Sequence, residues 1–232
     1  MSADRVIVAL DLPNAREALR LVERVGDEAR TYKVGAQLFT AAGPQICRAL
    51  RERDKEVFLD LKFHDIPNTV AAAVRAAADL GVAMLTVHAT GGPAMLAAAR
   101  AAAGDDGPRI LAVTLLTSLG SEDVERIFGR SPISFVGEVV RLAGLAAEAG
   151  CFGVVASVNE ARSLRRHYGD ALQIVTPGIR LPGDDPGDQT RYATPADAAR
   201  AGADYIVVGR SILAAPDPAA AFRAVAAAFG EG

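Results

Sequence analysis

Three lysines stand in this chain, Lys33, Lys55 and Lys62. With 25 basic residues in all, the other 22 are arginines. Where only positive charge is needed, the chain uses arginine. Lysine differs in being able to give up its proton and act as an acid or base. Lys33 lies in Thr31-Tyr-Lys-Val-Gly35, and Lys62 in Val57-Phe-Leu-Asp-Leu-Lys-Phe-His-Asp-Ile66. Lys62 is bracketed by Asp60 and Asp65. Side chains alternate between the faces of a strand, so Val57, Leu59, Leu61 and Phe63 share one face. Phe58, Asp60 and Lys62 share the other. Charges inside an apolar strand are costly unless paired. A buried structural ion pair and a proton-transfer site both account for this segment.

These residues need a frame to position them. Short β-rich runs recur near 5–11, 31–35, 56–62, 83–88, 109–115, 152–156, 172–176 and 204–208, separated by alanine-rich helical stretches. Asn14 with Glu17 has the spacing of a capping box, and Ala18, Leu21, Val22 and Val25 follow at helical spacing. Asn68 is a candidate cap for a helix ending before Gly81. Thr194-Pro195 and Asp217-Pro218 each place a capping residue before a proline at the first helical position. Eight strands alternating with helices over 232 residues predict an α/β fold, a single-domain (β/α)8 TIM barrel spanning 1–232. A doubly wound sheet is the structural alternative. The first turn, Ala9-Leu-Asp-Leu-Pro-Asn14, lacks the glycine fingerprint of a dinucleotide site.

Barrels carry their chemistry at the C-terminal ends of the strands. That rule selects Asp11, Lys33, Asp60, Lys62, His88 and Thr117-Ser118. It also selects Thr176-Pro-Gly-Ile-Arg180 after the seventh strand and Gly209-Arg210-Ser211 after the eighth. The last two loops commonly hold phosphate in this fold. Gly209 allows backbone N–H groups near an anion, Arg210 offers a fork of donors, and Ser211 onward could form a short helix turn. The long loop between Thr176 and Pro195 has the length of a functional lid, with Arg180 and Gln189 as candidate contacts.

Bulk properties narrow the options. Net charge is −3 and the isoelectric point about 5.7, a balance that disfavours nucleic acid or a polybasic membrane role. Cys47 and Cys151 have no metal-ligand spacing and fit reduced, buried thiols in a cytoplasmic protein. The first apolar run is too short for a signal-peptide core, and no charge-free run of transmembrane length occurs. Lys62 as a Schiff-base nucleophile would need an apolar pocket, whereas neighbouring carboxylates favour its ammonium form, a proton donor. A metal site from Asp60, His64, Asp65 and His88 would place the cation against two lysines. His88 and His167 fit structural roles.

The run Asp60-Leu-Lys62-Phe-His-Asp65-Ile-Pro-Asn-Thr69 resembles the signature of the orotidine 5'-phosphate decarboxylase family. The resemblance extends in order through Ala-Leu-Asp11, Tyr-Lys33-Val-Gly, Leu-Thr117-Ser, Thr-Pro-Gly-Ile-Arg180, Gly-Asp-Gln189 and Val-Gly209-Arg210-Ser. It implies decarboxylation of orotidine 5'-monophosphate to UMP and CO2, the last step of de novo pyrimidine synthesis, with no metal or organic cofactor. By the resemblance, Lys62 protonates C6 of the pyrimidine, and Asp60, Lys33 and Asp65 complete an alternating charge array. Asp11 and Lys33 bind ribose hydroxyls, and Thr117 contacts the base. Gln189 and Arg210 hold phosphate with the Gly209 amide, and Arg180 belongs to the closing loop. The resemblance also implies a homodimer in which Asp65, Ile66 and Thr69 reach the partner's site. One alternative is a Mg2+-dependent sugar-phosphate decarboxylase or aldolase sharing the Asp-x-Lys-x-x-Asp run. Such relatives typically carry an acidic residue where this chain has Lys33. Another is a catalytically silent phosphate-binding barrel.

Overall fold

The computed structural model describes residues 3–129, 134–182 and 192–232. Eight strands form a closed parallel barrel: β1 (Val6–Ala9), β2 (Thr31–Gly35), β3 (Glu56–Phe63), β4 (Met84–His88), β5 (Arg109–Val113), β6 (Gly153–Val155), β7 (Gln173–Ile179) and β8 (Tyr205–Val208). They follow one another in sequence order, and β1 closes on β8 with Val6 opposite Ile206 and Val8 opposite Val208. The helices are α1 (Ala15–Val25), α2 (Ala36–Ala42), α3 (Gln45–Arg51), α4 (Pro67–Asp79), α5 (Gly92–Ala103), α6 (Ser121–Phe128), α7 (Phe135–Glu148), α8 (Val158–Tyr168), α9 (Pro195–Ala201), α10 (Arg210–Leu213) and α11 (Pro218–Gly230).

The strands read as almost continuous apolar runs because both of their faces are covered. Ile7, Ala9, Phe58, Met84, Leu111, Val175 and Val207 fill the barrel interior. Their alternate neighbours, among them Val6, Val8, Val57, Leu59, Leu85 and Val87, pack outward on the helices. Ala77 of α4 and Ala99 and Ala103 of α5 are buried in that outer layer, where a side chain of one methyl lets helix backbones lie close. Helix α1 buries Ala18, Leu21, Val22 and Val25. Each of the larger side chains contributes about 1.5–3 kcal/mol on burial.

Capping follows the expected residues with one correction. The Glu17 N–H donates to Asn14 Oδ1 at 3.0 Å, and Asn14 Nδ2 donates to Glu17 Oε1 at 2.9 Å. Thr194 and Asp197 form a reciprocal box, and Asp217 accepts from the Ala220 N–H at 3.0 Å. Such caps are worth about 1 kcal/mol each. Asn68 does not cap α4. Ile66 occupies that position and Pro67 opens the helix, because proline's fixed φ and missing N–H suit the first helical residue. Asn68 is therefore already inside.

Three strand ends differ from expectation by two residues or more. β1 stops at Ala9, leaving Asp11 in the loop beyond it, and β5 stops at Val113. β7 continues to Ile179, so most of the Thr176–Arg180 motif is strand rather than loop. Both cysteines are unpaired thiols in the buried layer, and burial pushes each up to about 11. Among the described residues, no helix is long and apolar enough to cross a membrane.

Candidate active site

The site begins with an irregularity in β3. Leu59 pairs with Leu85 of β4, but the next pairing is Phe63 with Val87. Asp60, Leu61 and Lys62 therefore stand opposite a single residue, Thr86. Lys62 takes φ +53°, the left-handed region that side-chain-bearing residues seldom adopt and that gathers at functional positions. The expected faces hold, since Leu59 and Leu61 pack outward while Phe58, Asp60 and Lys62 line the interior. Simple alternation did not convey the bulge.

The bulge aims an alternating chain of charge into the barrel mouth. Lys62 Nζ donates to Asp60 Oδ1 at 2.8 Å. The other Asp60 oxygen lies 3.6 Å from Lys33 Nζ, which in turn donates to Asp11 Oδ1 at 2.9 Å. Asp60 and Lys33 are largely buried, with side chains 13% and 12% exposed, whereas Lys62 is 34% exposed toward the cavity. Burial alone would raise the Asp60 carboxyl. The Lys33 and Lys62 ammonium groups, with hydrogen bonds from Lys62 and Thr86, overcome this and hold it below the usual carboxylate value. Gly35 helps make room: a Cβ there would come within 3.2 Å of Lys33 Nζ.

These charges edge a cavity of about 740 Å3 at the C-terminal ends of the strands. Its floor is apolar, built from Ala9, Phe58, Val155 and Val207 of the barrel interior. Thr117 and Ser118 border it beyond β5, Arg180 beyond β7, and Gly209 and Arg210 beyond β8. Arg180 is buried, with Nη1 donating to the Ile179 carbonyl at 2.9 Å. The stem of the loop after β7 is pinned: Arg180 N–H donates to the Ala193 carbonyl at 3.0 Å, and Ala193 N–H to the Gly178 carbonyl at 3.2 Å. Gly178 sits at φ +80° where β7 shifts register against β8, a conformation suited to glycine. The Leu181 N–H also reaches Ser211 Oγ at 3.3 Å, tying this loop to the short helix α10.

Asp11, Lys33, Asp60, Lys62, Thr117, Arg180, Gly209 and Arg210 are thus brought around one cavity. Asp65, Ile66 and Thr69 are not. All three are exposed at the start of α4, and Asp65 Oδ1 accepts the Ile66 N–H at 2.6 Å. Gln189 lies outside the described residues. His64 and His88 pair beside the array, ring centroids 5.3 Å apart. Burial, then His64 and Lys62, lowers the His88 imidazole below its usual value. His167 Nδ1 lies 2.8 Å from the Ser163 carbonyl within α8. Among the described residues, no group of three or more His, Cys, Asp or Glu side chains is arranged to hold a metal ion. Thr86 escaped the sequence reading. Its only signal was its place on the inner face of β4, two residues before His88.

A closed (β/α)8 barrel with ionisable side chains converging at its strand ends defines an enzyme scaffold of the TIM-barrel class. Residues 4–225 match the "Orotidine 5'-phosphate decarboxylase / HUMPS family". A Moorella thermoacetica protein named orotidine 5'-phosphate decarboxylase is 52% identical over 231 residues, covering 97% of this chain and 91% of that protein. A Shewanella sediminis protein of the same name is 47% identical, covering 97% of each. The crystal structure of orotidine 5'-phosphate decarboxylase from Lactobacillus acidophilus superposes with a TM-score of 0.86 at 39% identity, covering 97% of this chain and 99% of that one. This chain belongs to the orotidine 5'-phosphate decarboxylase family.

Proposed function

We propose that this chain, as one catalytic domain over 1–232, decarboxylates orotidine 5'-monophosphate to UMP and CO2 in the cytoplasm, with Lys62 as the proton donor to C6. The observation that carries the reading is the placement of Lys62. Its ammonium is fixed 2.8 Å from Asp60, at the edge of a cavity with an apolar floor. Departure of CO2 leaves a carbanion at C6 with no evident electron sink in the ring. A preorganised ammonium over a low-dielectric floor stabilises that charge as it develops and then delivers the proton. Asp60 both holds Lys62 and places negative charge near the departing carboxylate. The proposed chemistry does not depend on repulsion between Asp60 and the substrate carboxylate. The fixed ammonium suffices without it.

The rest of the site fits the same substrate. Asp11 and Lys33, joined at 2.9 Å, bind the ribose hydroxyls, and Thr117 contacts the pyrimidine. Arg210 and the Gly209 amide hold phosphate at the loop after β8, with Gln189 as a further donor. Arg180 anchors the loop that closes over the substrate. Phosphate binding remote from C6 can then drive closure and complete the charged site. Two ammonium groups already neutralise Asp60 from both sides, which supports a metal-free reaction over the Mg2+-dependent sugar-phosphate alternative. Exposed Asp65, Ile66 and Thr69 serve the site of a second copy in a homodimer, which completes the charge array.

Lys62→Arg tests the role of Lys62. Arginine keeps the charge but does not release its proton and is bulkier. Turnover of orotidine 5'-monophosphate should nearly vanish while UMP still binds on titration. Substantial retained turnover would remove Lys62 as the donor.

A further inference from the structure

Thr86 sits in the middle of β4, fully buried, with its side chain pointing into the barrel opposite the β3 bulge. Its neighbours Leu85 and Val87 point to the helix layer. Thr86 Oγ1 makes two contacts. It accepts the backbone N–H of Lys62 at 2.9 Å and donates to Asp60 Oδ1 at 3.0 Å. The same carboxylate oxygen accepts from Lys62 Nζ at 2.8 Å. The three bonds close a ring that holds both the backbone and the ammonium of Lys62.

Chemistry dictates the direction of each bond. A backbone N–H can only donate, and an ionised carboxylate can only accept, so the hydroxyl must accept from one and donate to the other. The bulge creates the need. A buried N–H without a partner is costly, and the shift in register interrupts the ladder between Leu59 and Phe63. A hydroxyl on a side chain with restricted χ1 supplies the missing acceptor at a fixed point. It also spends its proton on the carboxylate that orients the ammonium.

We infer that Thr86 is a positioning residue for the decarboxylation, its hydroxyl locking the bulged Lys62 backbone and the Asp60 carboxylate into one unit. The inference rests on the proposed role of Lys62. Thr86 is fully buried and does not line the cavity, so its effect passes through the Asp60 and Lys62 groups it holds.

The test compares Thr86→Ser, Thr86→Ala and Thr86→Val with the unmodified protein, measuring turnover of orotidine 5'-monophosphate beside UMP titration. Serine keeps the hydroxyl, so its kcat should stay within about threefold of the unmodified protein. Alanine and valine should lose about ten- to hundredfold in kcat, the scale of a hydrogen bond to a charged group. UMP affinity should change by no more than about threefold in all three, since the phosphate and ribose contacts are untouched. Three outcomes would overturn the inference: full kcat in alanine and valine variants, serine as impaired as alanine, or UMP affinity falling in step with kcat. If the valine variant fails to fold, the serine and alanine pair decides alone, because those two differ by the hydroxyl only. An unmodified protein without turnover would defeat the functional reading itself, and with it this inference.

Discussion

Replacing Asp60 by asparagine keeps the shape of the side chain and one acceptor but removes the charge on which two ammonium groups converge. With an effective dielectric constant of about 20, the attractions at 2.8 and 3.6 Å are about 6 and about 5 kcal/mol before desolvation is charged against them. The net loss is much smaller. Breaking a buried pair typically costs about 3–5 kcal/mol. Here Lys33 keeps Asp11 at 2.9 Å, and Lys62 can turn part of its charge to water. We therefore expect Asp60→Asn to lose about 2–3 kcal/mol of folding stability, seen as a Tm lower by about 5–10 °C for a chain of this size. The pH dependence fixes the source. The folded-state pKa of Asp60 is depressed, so its contribution is complete above the ordinary value of 3.8 and is lost as pH falls through the depressed value. The gap between the two proteins in urea or thermal unfolding should be constant near neutrality and close in acid. An asparagine variant as stable as the parent at pH 7, or a gap that persists unchanged in acid, would refute the electrostatic account of Asp60.

Two further perturbations probe the remaining parts of the site. Arg210→Ala should weaken orotidine 5'-monophosphate binding by about 2–3 kcal/mol, a charge-assisted contact, and matter little for orotidine without phosphate; equal losses for both would place Arg210 elsewhere. Mixing Lys62→Ala with Asp65→Ala subunits after exchange should restore activity, because each mixed two-fold dimer would hold one doubly damaged and one intact site. No rescue, with exchange confirmed by differential tags, would reject a site shared between subunits.

Much of the barrel was legible in the chain because its strands are apolar runs bounded by strong caps such as Asn14, Thr194 and Asp217. The strand-end rule then collected Asp11, Lys33, Asp60, Lys62 and Arg210 without reference to any relative. Register was not legible. Nothing in Val57-Phe-Leu-Asp-Leu-Lys-Phe63 announces a bulge, because each residue suits a regular strand and the shift exists only in the pairing with β4. Thr86 was overlooked for the same reason: a threonine among apolar strand residues gains its significance from what the bulge sets opposite it. Asn68 has capping propensity, but the stronger preference of Pro67 for the first helical position places it inside the helix. Asp65, Ile66 and Thr69 are exposed away from this chain's own cavity, so the strand-end rule does not select them and the family resemblance alone bears on their role.

In the proposed reaction, two lysines and their carboxylates perform the decarboxylation without a metal. The direct test follows the ultraviolet absorbance of orotidine 5'-monophosphate as purified protein, stripped with EDTA and kept in the chelator, converts it to UMP. Full turnover is expected under these conditions, unchanged when Mg2+ replaces the chelator. Activity that is absent in EDTA and returns with Mg2+ would contradict the metal-free reaction and favour the metal-dependent sugar-phosphate chemistry.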